Sequence, residues 1–142
     1  MEKKEKKEKK MKKNKSKIKD EKEEETASKN GVDHVVLLKL KPDVTEVEIQ
    51  ALKDGVASLV EIDGVDSATV GSVFVEDWMS DRRGDTSINY GIRISLESKD
   101  ALKTYQTNPV HLAVIKENIA PLLDTTKDAP VLAYDWESPE TK

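Results

Sequence analysis

Ile88-Asn89-Tyr90-Gly91-Ile92-Arg93-Ile94-Ser95-Leu96-Glu97 alternates apolar residues with polar or small ones along its whole length. Because successive side chains of a strand point to opposite sides, this pattern predicts a strand with Ile88, Tyr90, Ile92, Ile94 and Leu96 on one face. Upstream, a polar loop from Glu76 to Thr86 follows Ala68 to Val75, which alternates more loosely and suits another strand. Val70 and Phe74 fall on one side of it, Val73 and Val75 on the other. Downstream, Ser98 can cap a helix running through Tyr105, with Asp100 favourably placed in its first turn. Asn108-Pro109 interrupts that helix and starts a second segment, which carries Val110, Val114 and Ile115 to about Ala120. Pro121 ends or kinks it, and Pro130 to Trp136 reads as a last short strand.

Toward the N-terminus, order begins at Gly31. Val32-Asp33-His34-Val35-Val36-Leu37-Leu38-Lys39-Leu40-Lys41 is a first strand that stops at Pro42. Its two faces are Val32, His34, Val36, Leu38, Leu40 and Asp33, Val35, Leu37, Lys39, Lys41, so His34 lies on the more apolar, buried face. Thr45-Glu46-Val47-Glu48 is a capping-box pattern, after which Ile49, Leu52, Val56 and Leu59 recur at helical spacing up to Asp63-Gly64. Gly55 is a weak point in this helix. The order is βαββαβ. It predicts an α+β, ferredoxin-like fold in which both helices cover one face of a four-stranded antiparallel sheet. The opposite face also carries apolar side chains, and a second copy of the sheet is the expected cover. The expected assembly is a homodimer closing a dimeric α/β barrel.

A chain of 142 residues suits one such domain. Charge is distributed unevenly: the first thirty residues hold thirteen lysines and eight acids, while residues 31–142 hold eleven basic and twenty acidic residues. Residues 1–30 repeat Lys and Glu with almost no apolar residue, which predicts a disordered tail. Its lysines Lys9, Lys10, Lys12 and Lys13 invite a localisation or polyanion role, but Glu2, Glu5, Glu8 and the acids from Glu21 to Glu25 cancel much of their field. The domain is assigned to residues 31–138, with 139–142 a short polar tail. Its acidity and six aromatics argue against nucleic-acid recognition. No stretch has the length of a membrane span and no apolar block of a secretory signal is present, so a cytoplasmic protein is expected. The absence of cysteine excludes disulfides, thiolate metal sites and cysteine nucleophiles.

The first strand, the Thr45 helix start, the exit Ser95-Leu96-Glu97-Ser98-Lys99 and Tyr105-Gln106-Thr107-Asn108-Pro109-Val110-His111 together resemble the stress-responsive A/B barrel (Dabb) family. The likeness extends over nearly all of residues 31–137. Members of that family include stress-responsive proteins and olivetolic acid cyclase, a cofactor-free enzyme that closes a linear polyketide by intramolecular aldol chemistry. The resemblance carries the cyclase's catalytic His and Tyr onto His111 and Tyr105 and a further pocket His onto His34. Two departures imply a reshaped pocket and a different substrate: a pocket Tyr of the cyclase falls near Val56 in the first helix, and the Trp-Gly of the cyclase's second strand is matched here only by Val70-Gly71.

The chemistry of this pair can be argued from its residue types. On an unbroken helix, six residues would leave Tyr105 and His111 about 120° apart, whereas a helix restarted at Asn108-Pro109 can aim His111 back over Tyr105. A neutral imidazole can take a proton from carbon beside a carbonyl, while a phenol donates a hydrogen bond to the enolate oxygen. The plainer alternatives are a structural contact for His111, ordinary core for Tyr105 and a satisfied core histidine for His34. With two histidines, three-histidine zinc sites are excluded within one subunit. Neither a cofactor nor a metal is expected. Trp78 and Met79 are candidates to cover the barrel mouth or the dimer seam, and Asp81-Arg82-Arg83-Gly84-Asp85 reads as a loop tip. Two functions are consistent with these residues. One is a cofactor-independent cyclase or lyase for a small polyketide-like or β-dicarbonyl compound; the other is a non-catalytic stress-associated protein that binds apolar small molecules or assembles into stable oligomers.

Overall fold

The alternating stretch forms β3 (Tyr90–Leu96), which pairs on one side with β1 (Gly31–Leu38) and on the other with β2 (Val65–Ser72). Adding β4 (Val131–Ser138) beside β1 gives a four-stranded sheet of order β2-β3-β1-β4, antiparallel throughout. The computed structural model describes residues 30–79 and 84–139. Expectations for residues 1–29, for Asp81-Arg82-Arg83 and for residues 140–142 lie outside them.

Helix α1 (Glu46–Ser58) starts in the expected capping box: the Thr45 hydroxyl accepts from the Glu48 amide, and the Glu48 carboxylate accepts from the Thr45 amide at 2.9 Å. The second helical region is α2 (Lys99–Thr107), capped by Ser98, followed by α3 (Pro109–Val114), a π turn at Ile115–Ile119 and a 3-10 turn at Ala120–Leu122. Leu52, Val56 and Leu59 from the first helical region meet Leu38, Ile94 and Leu96 from the sheet, each at most 2% exposed. Each such side chain contributes about 1.5–3 kcal/mol by leaving water. Tyr105, Val114 and Ile119 complete this layer from the second region.

Three expectations change in detail. β2 spans Val65–Ser72 rather than Ala68 to Val75, because its partner strand ends at Tyr90; the amide of Val73 makes a last bond to the Asn89 carbonyl and Phe74 is 64% exposed beyond it. β1 ends at Leu38 rather than Lys41. Beyond Leu38 the backbone turns to other partners, with Leu40 bridging Leu123 and Lys41 bonding the Leu122 carbonyl. Gly55, expected to weaken α1, is a contact point. A Cβ there would lie 2.7 Å from Cγ of Asn118, whose amide donates to the Ala51 carbonyl at 2.9 Å and so ties the π turn to α1. Glycine to alanine inside a helix ordinarily gains up to about 1 kcal/mol. Here Gly55→Ala is expected to lower stability by about 1–2 kcal/mol, because it displaces Asn118 and leaves the bond unmade. Thermal denaturation of the variant beside Asn118→Ala checks this, and a gain in melting temperature would contradict it.

The sheet face away from the helices is bare. Val35, Leu37 and Leu132 lie on it half-buried, with Tyr134 and Trp136 53% and 51% exposed. Two buried charges, one on β1 and one just past its end, are satisfied within the chain. Asp33 pairs with Arg93 at 2.7 Å and accepts from the Ser138 hydroxyl, and Lys39 pairs with Asp85 at 2.7 Å and donates to the Asp128 carbonyl. The Lys39 ammonium and the Ser87 side chain hold the Asp85 carboxyl well below the usual carboxylate range. No helix among the described residues is long and apolar enough to cross a membrane.

Candidate active site

The break at Asn108 brings the two predicted residues together without losing backbone bonds. The Asn108 side chain accepts from the Val110 amide at 2.8 Å, its own amide donates to the Tyr105 carbonyl, and Pro109 occupies the first helical position, where no donor is needed. The restarted helix folds His111 over Tyr105, with ring centroids 4.1 Å apart and planes inclined by 30°. His34 reaches the same place from β1, edge-on to Tyr105 at 5.8 Å. All three rings line one cavity of about 230 Å³ between sheet and helices. Its remaining walls are aliphatic except at Gln106, and the π turn supplies Ile115 and Ile119. This volume is below the roughly 300–1,000 Å³ of drug-sized sites, so an occupant is small.

The three rings differ in what they can do. Tyr105 is 2% exposed, and burial raises its pKa to about 12, so at neutral pH it remains a phenol and a donor. Burial lowers the pKa of His111, reinforced by the nearby His34; the Gln106 and Tyr105 carbonyls pull the other way. Neither carbonyl meets Nδ1 in hydrogen-bond geometry: Nδ1 of His111 is the one buried side-chain polar atom without a partner among the described residues. His111 is therefore an uncharged imidazole with an unused ring nitrogen. His34 is 6% exposed and its Nδ1 donates to the Asp135 carboxylate at 2.5 Å. In the neutral form its proton is thus held on Nδ1 and Nε2 is left as an acceptor.

The depressed pKa of His111 has a consequence for stability. The unfolded chain takes up this proton near the ordinary value of 6.5, before the folded chain does. Stability is therefore full above that pH and is lost as pH falls below it. Replacing His111 by Asn is expected to reduce the fall in melting temperature between about pH 7.5 and 5.5; an equal fall in both proteins would refute the assignment.

The sequence reading missed Asp135. The available signal was a single charge inside the apolar run from Val131 to Trp136, but that its partner is His34 depends on the register of β1 with β4, in which the two residues are paired. Gln106 and the wall from the π turn were also not anticipated. Val110 and Trp78 lie outside the site, both exposed. Among the described residues no group of three or more His, Cys, Asp or Glu is placed to hold a metal ion.

Residues 32–138 match the family described as the stress responsive A/B barrel domain. A stress-response A/B barrel domain-containing protein of Arabidopsis thaliana is 25% identical over 105 residues, which are 74% of this chain and 36% of that protein; the chain spans about a third of that relative. A dimeric ferredoxin-like protein of unknown function from Thermobifida fusca superposes with a TM-score of 0.56 at 19% identity, covering 76% of this chain and 91% of its own. The hydroxynitrile lyase of Passiflora edulis does so with a TM-score of 0.61 at 16% identity, covering 80% and 98%.

Proposed function

The chain belongs to the stress-responsive A/B barrel domain family, and from that premise we propose that its cavity performs cofactor-independent acid–base chemistry on a small carbonyl compound, as a cyclase or lyase. The observation that carries this reading is the stacked Tyr105–His111 pair on one cavity, with His111 uncharged and Nδ1 unpartnered. His111 takes the proton from carbon beside a carbonyl, and Tyr105 donates a hydrogen bond to the enolate oxygen that forms. The enolate carbon then bonds to a second carbonyl carbon, whose oxygen recovers the proton from the imidazolium. Run backwards, the same steps cleave the bond. His34, oriented by Asp135, is a positioning partner for Tyr105 and an acceptor for a substrate hydroxyl.

The substrate class is a β-dicarbonyl or polyketide-like compound small enough for the cavity. The test is turnover of a panel of such compounds by wild type, His111→Ala and Tyr105→Phe, followed by chromatography of the products. Loss of turnover in both variants supports the assignment, and unchanged turnover removes it.

The same aliphatic walls favour a second reading, binding of apolar small molecules without turnover. In that case an apolar ligand raises the melting temperature of wild type and His111→Ala equally, as mass action requires. The working unit in either case is a homodimer. The bare face with Tyr134 and Trp136 supports it, as does the dimeric description of the Thermobifida fusca relative.

A further inference from the structure

His111 sits on a helix with little of its own to hold it. α3 has six residues, begins at the Asn108 break, and has Val114 as its one buried side chain. Its other end runs directly into the π turn: the Ile115 amide donates to the His111 carbonyl, and the Ile115 carbonyl accepts from the Ala120 amide. Ile115 and Ile119, the two ends of that turn, line the cavity with His111. Between them Asn118 turns toward α1. Its amide donates to the Ala51 carbonyl at 2.9 Å, across 67 residues of chain, and it has room there only because Gly55 has no side chain. Among the described residues this is the only side-chain hydrogen bond that joins residues 109–122 to α1 or to the sheet. π turns are irregularities that recur at functional sites.

We infer that Asn118 is a positioning residue for the cavity: its bond to α1 clamps the π turn, and the π turn fixes both the wall at Ile115 and Ile119 and the helix that stacks His111 on Tyr105. A shift of about 1 Å in a reacting group can cost about 10²-fold in rate, so a clamp that never touches substrate can still govern turnover. The effect on turnover rests on the acid–base reading, whereas the placing of the ring does not. The titratable groups that face the His111 imidazole are Tyr105 on α2 and His34 on β1, the latter bonded to Asp135 on β4. Lys116 and Glu117 of the π turn are exposed.

The experiment is NMR of the full chain, following its two imidazoles against pH in wild type, Asn118→Ala and the double variant Gly55→Ala/Asn118→Ala, with His111→Asn to assign the signals. Wild type should show close contacts between the ring protons of Tyr105 and His111. In Asn118→Ala these contacts should be lost, and the His111 midpoint should move up toward 6.5, because burial is what lowers it. The His34 signals, held by Asp135, should stay in place. Where wild type turns over a substrate, kcat should fall about 10- to 100-fold. The double variant separates positioning from stability. With the Asn118 amide gone, only Cβ of residue 118, at 3.1 Å, crowds a Cβ at position 55, and alanine is the better helix former. Its melting temperature should therefore exceed that of Asn118→Ala while the His111 ring stays displaced, and it supplies a folded protein if the single variant does not fold. Ring contacts and a midpoint unchanged from wild type in either folded variant overturn the clamp, as does a ring that returns to place together with the melting temperature. A displaced ring in a protein whose wild type has no turnover leaves the clamp and removes the chemistry; an undisturbed ring with full turnover in Asn118→Ala does the reverse.

Discussion

His111→Ala is expected to lower turnover of a β-dicarbonyl or polyketide-like substrate by about 10²–10⁴-fold, the range that a positioned general base contributes. The fold should survive, because His111 is half-buried on a short helix whose buried anchor is the neighbouring Val114. Tyr105→Phe keeps the packing of a ring that is 2% exposed and removes only its donor, so a loss of about 10²–10³-fold is expected. The double variant should lose little more than His111→Ala, since base and donor act in one step. Activity should also fall on the acid side as the imidazole takes up a proton. Because burial lowers the His111 pKa, the midpoint of that limb in kcat/KM should lie below 6.5. A limb centred above that value, or a Tyr105→Phe variant with full activity, would remove the pair from the mechanism.

Leu37→Asp is expected to dissociate the proposed homodimer, raising its Kd by about a hundredfold or more. Leu37 lies on the bare sheet face, opposite Gly91 in β3 and Leu132 in β4, with no cation in register beside it. A carboxylate buried there between two sheets has no partner and costs several kcal/mol. In the monomer the same position is half-buried and reaches solvent, so circular dichroism should be unchanged. Light scattering at matched concentrations measures the outcome, and a Leu37→Asp protein that remains dimeric would refute this face as the interface. Val35 is a poorer probe, because it pairs with Arg93, which could compensate a new carboxylate.

How much of this was legible in the sequence depends on how far apart the interacting residues are along the chain. The alternation of Ile88 to Glu97, the Thr45 capping box and the Asn108-Pro109 restart are local devices whose energetics involve residues within a few positions of one another. The capping box and the restart are found at the positions expected, and the alternating strand within two residues of its expected ends, as Tyr90–Leu96. Tyr105 and His111 belong to the same class: only five residues separate them, and the proline between them dictates the turn that stacks their rings. The placing of His34 on the buried face also needed no more than the period of one strand.

What the tertiary structure alone decided involves residues far apart in sequence. Asp135 meets His34 because two strands pair in a particular register across 101 residues. β2 ends at Ser72 because its partner strand ends at Tyr90, although Val73 to Val75 have the apolar character to continue it. Gly55 becomes a contact rather than a flaw because Asn118 crosses it from a π turn that no local pattern announces. Local pattern determines which segments are helix or strand and which side of each faces inward, since propensity and periodicity are properties of neighbours. The partners that each inward side chain meets, and therefore the cavity they enclose, depend on register and packing between distant segments, which only the folded chain selects.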